Sequence, residues 1–214
     1  VPSELAQILA IGIPACITNL MQSIGMTLTN RFLLPYGNDK VAAMGIVMKT
    51  NLIAAFIVIG FAFGAQPLIG YNYGAGNRDR LRKILCFCYG FECSLAAVVA
   101  GLVSLAAPFL MKMFINDENI IAIGAPMLRM QQMGMVFMAV VLVSTVTFQA
   151  AGKAWSALLL SVSRQGVLFA AVIFTAAGLF GYQGVLMSQA VSDALTAVMA
   201  AILFLKGIYR ELKG

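Results

Sequence analysis

Charged side chains are scarce in this sequence. They make up 10% of its 214 residues, whereas 61% of the residues are hydrophobic. Soluble domains usually carry roughly 25% charged residues. The mean hydropathy is correspondingly high, at +0.93. The composition excludes an ordinary soluble protein and predicts a chain that is embedded in a lipid bilayer.

Histidine is absent altogether, which excludes Ser-His-Asp and Cys-His catalytic sets and removes the commonest transition-metal ligand. The glycine-rich segment 74–79 lacks the final Gly-Lys-Ser/Thr of a phosphate-binding loop. The four cysteines lie in apolar stretches, where small apolar packing is their expected role. We therefore expect no enzyme, no metal site and no cofactor.

The net charge of +6 has two interpretations. In a soluble protein it would favour nucleic-acid binding, but a membrane protein concentrates Lys and Arg in its cytoplasmic loops. Alternate links carry clusters of basic residues, at 78–83, at Lys153 and in the tail from Lys206. This pattern predicts a multi-pass plasma-membrane protein with both termini in the cytoplasm and no nucleic-acid partner.

Long apolar stretches separated by short, turn-rich links indicate an all-α bundle. Crossing the hydrocarbon takes roughly 20 apolar residues, and each predicted span exceeds that length. The chain starts with Val1 and not with Met, so we expect a fragment of a longer protein. Residues 1–214 are predicted to form one transmembrane lobe, with spans at about 5–32, 41–71, 81–114, 120–151, 155–180 and 184–206.

Five ionisable residues lie inside the predicted spans: Lys49, Glu92, Arg129, Arg164 and Asp193. A charge deep in the bilayer costs at least about 2.5–3.5 kcal/mol, so such residues face the bundle interior or a water-filled cavity. The carboxylates are candidates for binding a proton or a sodium ion. A purely structural ion pair, such as Arg164 with Asp193, is the alternative.

Uncharged polar residues extend this pattern. Asn19 and Gln22 lie on the first span, Asn51 on the second, and Gln131 and Gln132 on the fourth. They would either line a hydrated cavity or bond one helix to another. With the charged residues, they give the candidate substrate and cation site, which comprises Asp193, Glu92, Lys49, Asn51, Arg164 and Gln131.

At the end of the second span, the string GFAFGAQPLIGYNYGAGN, from Gly60 to Asn77, resembles the second-half signature of the multidrug and toxic compound extrusion (MATE) family. Shorter matches follow in the same order, including FQAAGK from Phe148 and FGYQGV from Phe180. Small residues one turn apart, as in this string, let another helix approach closely. The signature residues are Gly60, Gly64, Gln66, Pro67, Gly70, Tyr71, Asn72 and Gly74.

The resemblance implies two six-helix lobes, of which this chain looks like the C-terminal one. It implies export by alternating access, in which H⁺ or Na⁺ is exchanged for amphipathic, often cationic, organic compounds. Its partners would be the lipid bilayer, a small amphiphilic substrate and an N-terminal lobe. Two alternatives are a lipid-linked-sugar flippase of related architecture, which would need a more cationic cavity, and a noncatalytic membrane scaffold, which would have every buried charge paired.

Overall fold

A computed structural model describes residues 2–208 of the chain, with side chains described from residue 16. The described residues are almost entirely helical. A short 3₁₀ turn, Leu34–Tyr36, follows the first helix, and a π-helical turn, Ser163–Val167, lies between the last two. The α-helices are α1 Pro2–Leu33, α2 Asn38–Gly74, α3 Arg78–Leu105, α4 Ala107–Phe114, α5 Glu118–Gln132, α6 Met135–Ala150, α7 Ala154–Val162 and α8 Leu168–Lys206.

Two of the predicted spans are broken, where the sequence predicted continuous helices. The span at 81–114 divides at Ala106, because Pro108 cannot donate the backbone hydrogen bond that a continuous helix needs and instead sits in the first turn of α4. The span at 120–151 divides at Met133 and Gly134, where α5 and α6 meet at a bend of 45°. The second break lies beside the candidate site.

The segment from Ala154 to Lys206 is helical over 53 residues, but it is not one rod. Its length would be about 80 Å at roughly 1.5 Å per residue, against a hydrocarbon thickness of about 30 Å. Gly181 interrupts it with φ 56° and ψ −130°, a conformation that favours glycine. The chain folds back there, so that α8a (168–180) and α8b (182–206) form a hairpin.

Contacts between the links place three turns at one end of the bundle. Asn119, at the start of α5, donates a hydrogen bond to Asp39 of α2 over 3.1 Å. The ammonium of Lys40 lies 4.4 Å from the centre of the Tyr182 ring, which follows the turn at Gly181. The turns that precede α2, α5 and α8b therefore meet at this end, as expected for neighbouring antiparallel helices.

The interior of the lobe is apolar and forms three clusters. One, around Met44, Met127 and Ile173, joins α2, α5 and α8. A second, around Phe148 and Leu160, joins α6 and α7 to α2, α3 and α8b. A third, around Val58 and Ala139, joins α2 and α3 to α6. These clusters pack together the helices that surround the polar cavity described below.

By length and composition, three helical segments within the described residues can cross a membrane, or four if the bent α5–α6 pair counts as one span. The three are α2, α3 and the α7–α8 segment. Since the third folds back at Gly181, it supplies two antiparallel segments. Over residues 2–208 the fold is an all-α membrane bundle of six segments, namely α1, α2, α3–α4, α5–α6, α7–α8a and α8b.

Candidate functional site

A cavity of about 370 Å³ lies between α1, α2, the α5–α6 bend, the π turn and α8. This volume is in the range of small-molecule sites, which is roughly 300–1,000 Å³. Its wall is mostly apolar, with methionines from three helices, and the polar side chains converge on it from every element. Those polar side chains are Gln22, Thr29, Lys49, Asn51, Gln131, Arg164, Gln165, Gln189 and Asp193.

Arg164 and Asp193 form an ion pair in the wall of this cavity. The Nε of Arg164 donates to Oδ1 of Asp193 over 2.7 Å, and Nε2 of Gln189 donates to the same oxygen over 3.1 Å. Asp193 is only 3% exposed. The structural pair that the sequence left open as an alternative is therefore present. Oδ2 of Asp193 accepts no hydrogen bond from the described side chains or backbone.

The π turn presents Arg164 to Asp193. Such a turn shifts the helical register by one residue and leaves backbone carbonyls without their usual partners. Ser192 uses one of them, because its hydroxyl donates to the carbonyl of Arg164 over 3.0 Å. Ser192 and Asp193 thus hold the backbone and the side chain of one arginine, which ties α8b to the π turn at two adjacent points.

The break between α5 and α6 lies against the same carboxylate. A Cβ added to Gly134 would lie 3.0 Å from Oδ2 of Asp193 and 3.0 Å from Cα of Ala190. Only a glycine lets the two helices approach this closely without displacing one of them. Asp193 therefore touches two irregular points of the bundle, the π turn and the α5–α6 bend.

Lys49 is the second basic residue of the cavity. It lies on α2, is exposed within this lobe, and has no hydrogen bond or ion pair with any described residue. Its position, eleven residues into the helix, is on the order of 17 Å from the helix start. An ammonium at that depth is stable only where the cavity admits water or a counter-ion.

Amide side chains complete the polar surface. The Nε2 of Gln132, which is 2% exposed, donates to Oδ1 of Asn51 over 3.0 Å. This bond fixes Asn51 at the cavity wall and joins α2 to α5. Gln131 donates to the carbonyl of Leu186 over 3.5 Å, a long bond that leaves its amide largely available to a ligand.

Five of the six predicted site residues line this one cavity, and Glu92 is the exception. Glu92 is fully buried in α3, and neither carboxylate oxygen has a hydrogen-bond partner among the described residues. Arg129, the remaining intramembrane ion, also lies elsewhere, where its Nε donates to the carbonyl of Ser104 over 3.1 Å. The scaffold alternative, which predicted that every buried charge is paired and that no polar cleft exists, is wrong on both counts.

The signature residues lie on the second half of α2, beyond the cavity. Gly70 packs near Ala150. A Cβ added to Gly70 would lie 3.6 Å from the carbonyl oxygen of Ala150. Asn72 is buried and donates to the carbonyl of Leu68 over 2.8 Å. No described residue packs closely on Gly60 or Gly64, because an added Cβ at either would meet nothing within 4 Å, and the close helix approach at these positions stays a prediction. Gly74 is equally open, and the others, Gln66, Pro67 and Tyr71, are half-buried or exposed.

Gln189 is the main site residue that the sequence interpretation missed. It lies four residues before Asp193, so both residues occupy one face of α8b. That spacing was available in the sequence and could have indicated Gln189 once Asp193 was chosen. Gln165 directly follows Arg164, which was predicted. Its side chain faces the cavity because of the π turn, and no local sequence pattern indicated that turn.

The sequence profile of the MatE family matches residues 14–175. Two relatives are named multidrug export protein MepA. The protein from Staphylococcus saprophyticus is 26% identical over 199 residues, which cover 93% of this chain and 44% of the relative. The protein from Staphylococcus aureus has the same identity and coverage. The chain thus spans less than half the length of these curated relatives.

Solved structures show the same fold. An outward-facing multidrug resistance MATE family transporter of the MOP superfamily superposes with a TM-score of 0.86 at 21% identity, over 100% of this chain and 48% of its own. The bent form of the Vibrio cholerae MATE transporter VcmN superposes with a TM-score of 0.87 at 18% identity, over 99% of this chain and 48% of its own. The resemblance carried by the signature at 60–77 is confirmed, and the chain belongs to the MatE family of membrane transporters.

Proposed function

We propose that this chain is the C-terminal lobe of a secondary active exporter, which exchanges H⁺ or Na⁺ for amphipathic organic compounds by alternating access. It would act with an N-terminal lobe in the plasma membrane, with both termini in the cytoplasm. No covalent chemistry is required, since solute movement is driven by the cation gradient. The MepA relatives are named multidrug export proteins, which supports this class of function.

The observation that carries the proposal is the polar cavity itself. It combines an ion pair, an unpaired ammonium and amide groups with a wall of flexible methionines, Met26, Met48, Met135 and Met138. Methionine surfaces adapt to ligands of different shape. Polar groups at this depth are costly in a lipid-embedded bundle, and a solute pathway explains why they are concentrated in one place.

In this proposal Asp193 binds the H⁺ or Na⁺ whose movement is coupled to export. Its Oδ1 is occupied by Arg164 and Gln189, whereas Oδ2 has no described donor and faces Gly134. A proton or a sodium ion at Oδ2 would weaken the attraction between Asp193 and Arg164. The arginine could then turn towards the solute, and the π turn and the α5–α6 bend would be released from their common contact.

Such a release would shift the balance between outward-open and inward-open states, because the cation binds one of them more tightly. The bend and the π turn are the points where these helices already depart from regular geometry. Changes in direction at such points cost less than breaking a regular helix. We therefore place the moving part of the lobe at α5–α6 and the π turn, around Asp193.

Export by the complete two-lobe transporter tests the proposal. Drug-sensitive cells that express it should retain less of an amphipathic dye than control cells, and retention should rise when a protonophore or a sodium ionophore collapses the driving gradient. Asp193→Asn should abolish the gradient dependence, whereas Arg129→Gln, which changes an intramembrane charge outside the cavity, should not. Equal dye retention in wild-type and control cells would refute export.

A lipid-linked-sugar flippase remains a second candidate because two basic side chains, Lys49 and Arg164, line one cavity. Against it, Arg164 is neutralised by Asp193, and Arg129 does not join them. Reconstituted transporter should not move a fluorescent lipid pyrophosphate between leaflets if the exporter proposal is right. Rapid flipping of that lipid would favour the second candidate.

A further inference from the structure

The cavity carries an excess of positive charge from its described residues. Its ionisable groups are Lys49, Arg164 and Asp193. Because Arg164 and Asp193 neutralise each other across 2.7 Å, the ammonium of Lys49 is left without a counter-charge in this lobe. The resemblance to MATE transporters implied substrates that are often cationic, and this charge balance does not favour a cation beside α2.

Glu92, the other carboxylate within the spans, is too far from the cavity wall to be one of its lining residues and does not balance Lys49. Glu92 is fully buried on α3 and is absent from the cavity wall. Among residues 16–208, whose side chains are described, the remaining acidic residues are Asp39, Asp79, Asp117 and Glu118, which all lie in the first turn or at the cap of a helix. None of them is among the residues that line the cavity.

The surroundings of Lys49 match an acidic headgroup joined to an apolar body. Asn51 and Gln131 line the same cavity, and their amide groups can donate to an anion's oxygens. Met48 and Leu52 flank Lys49 on α2 and offer apolar contact. Hydrogen bonds between a charged donor and a carboxylate, sulfonate or phosphate oxygen are about twice as strong as those between neutral groups.

We propose that Lys49 binds the acidic group of the exported compound, so that this lobe selects anionic or zwitterionic amphiphiles. The inference rests on the proposed export function and names its substrate class. An ammonium that is buried in the closed transporter would be neutralised by the substrate itself. Solute binding then removes the cost of the unpaired charge, which makes an acidic group part of what the cavity recognises.

Two dyes with one ring system provide a matched pair of probes. Fluorescein is anionic near neutral pH, and rhodamine 6G is cationic on the same xanthene scaffold. Their binding to the complete transporter, in nanodiscs of neutral phosphatidylcholine, can be followed by fluorescence anisotropy. We expect fluorescein to bind more tightly than rhodamine 6G.

Lys49→Gln should weaken fluorescein binding about tenfold or more, which corresponds to about 1.4 kcal/mol, and leave rhodamine 6G unchanged or tighter. Lys49→Arg should retain fluorescein binding, because it keeps the charge. Lys83→Gln makes the same chemical change on an exposed part of α3 outside the cavity and serves as the control. Unchanged fluorescein binding in Lys49→Gln, or an equal loss in Lys83→Gln, would overturn the proposal.

Competition tests whether the acidic group is what the cavity binds. An aromatic carboxylate should displace fluorescein, as should geranylgeranyl pyrophosphate, whereas the neutral amide of the same aromatic compound should not. Displacement by the neutral amide that is as effective as displacement by the carboxylate would contradict the substrate class proposed here. The two proposals fail separately: export of fluorescein that is unaffected by Lys49→Gln would leave export standing without the acidic site, and Lys49-dependent binding of fluorescein without any transport would do the reverse.

Discussion

Asp193 accepts a hydrogen bond from Arg164 over 2.7 Å, although the two residues are 29 positions apart in the sequence. The turn at Gly181 makes this contact possible by folding α8b back along α7 and α8a. The pair joins the most irregular part of the lobe, the π turn, to the helix that carries the intramembrane carboxylate. It is both a structural tie and the polar centre of the cavity.

Removing one partner of this pair should lower the free energy of unfolding more than removing both partners does. Arg164→Gln leaves a buried carboxylate without its counter-charge, and such losses cost about 3–5 kcal/mol. Arg164→Gln combined with Asp193→Asn leaves two neutral groups and should recover much of that stability. Thermal unfolding of the four variants of a double-mutant cycle measures the coupling. Additive effects of the two single changes would show that the pair contributes nothing.

Gly134 should not tolerate a side chain. An added methyl group would meet Ala190 and Asp193 at 3.0 Å, and overpacking of this kind costs about 1–3 kcal/mol. Gly134→Ala should therefore lower the thermal stability and reduce export. Gly101→Ala on α3 is the matched control, since an added Cβ there meets nothing within 4 Å. There the substitution should stabilise the helix by up to about 1 kcal/mol. Equal behaviour of the two variants would be inconsistent with the close approach at Gly134.

Glu92 should be dispensable for binding at the cavity and unfavourable for stability. Both of its oxygens are buried without a described partner, and an unsatisfied buried polar group costs about 1–3 kcal/mol. Glu92→Met, which has a similar volume, should raise the unfolding temperature and leave dye binding unchanged. A loss of gradient-driven export in this variant would instead place cation coupling at Glu92.

Gly181 should be required for the hairpin of α8. Its φ of 56° with ψ of −130° is a conformation that costs other residues about 1–3 kcal/mol, and the hydroxyl of Tyr36 lies 3.3 Å from the position of an added Cβ. Gly181→Val should therefore destabilise the lobe, whereas Gly90→Val, in open space within α3, should have a smaller effect. Melting curves of the two purified variants compare these costs. A smaller loss of thermal stability in Gly181→Val than in Gly90→Val would contradict a turn that requires glycine.

Composition and apolar run length were enough to predict an all-α membrane bundle, because bilayer thickness sets the length of each span. They did not predict the breaks at Ala106 and Gly134. Pro108 gave a local signal for the first, but the only local signal for the second was a single glycine, a residue that is common in continuous transmembrane helices. The helix boundaries otherwise lie within a few residues of the predicted spans.

The sequence predicted those site residues whose charge is costly at their depth in a span, because that depth can be read from the sequence alone. Lys49, Arg164 and Asp193 stood out because an ion at that depth needs a polar environment. The same reasoning selected Glu92, which lies elsewhere, because depth along a helix does not determine which way a side chain points. Gln165 and Gln189 were missed since an uncharged amide is inexpensive enough to occur on any face.

Water and solute should reach the cavity around Asn51 if it is a transport pathway. A cysteine placed there, in a background with the native cysteines replaced by alanine, should react with a membrane-impermeant maleimide, and an exported compound should protect it. Thr196→Cys, at a fully buried position of α8b outside the cavity, is the control and should stay unlabelled. Labelling of Asn51→Cys that substrate suppresses is the expected result. If Asn51→Cys is no more reactive than Thr196→Cys, the cavity is dry and is not a solute pathway.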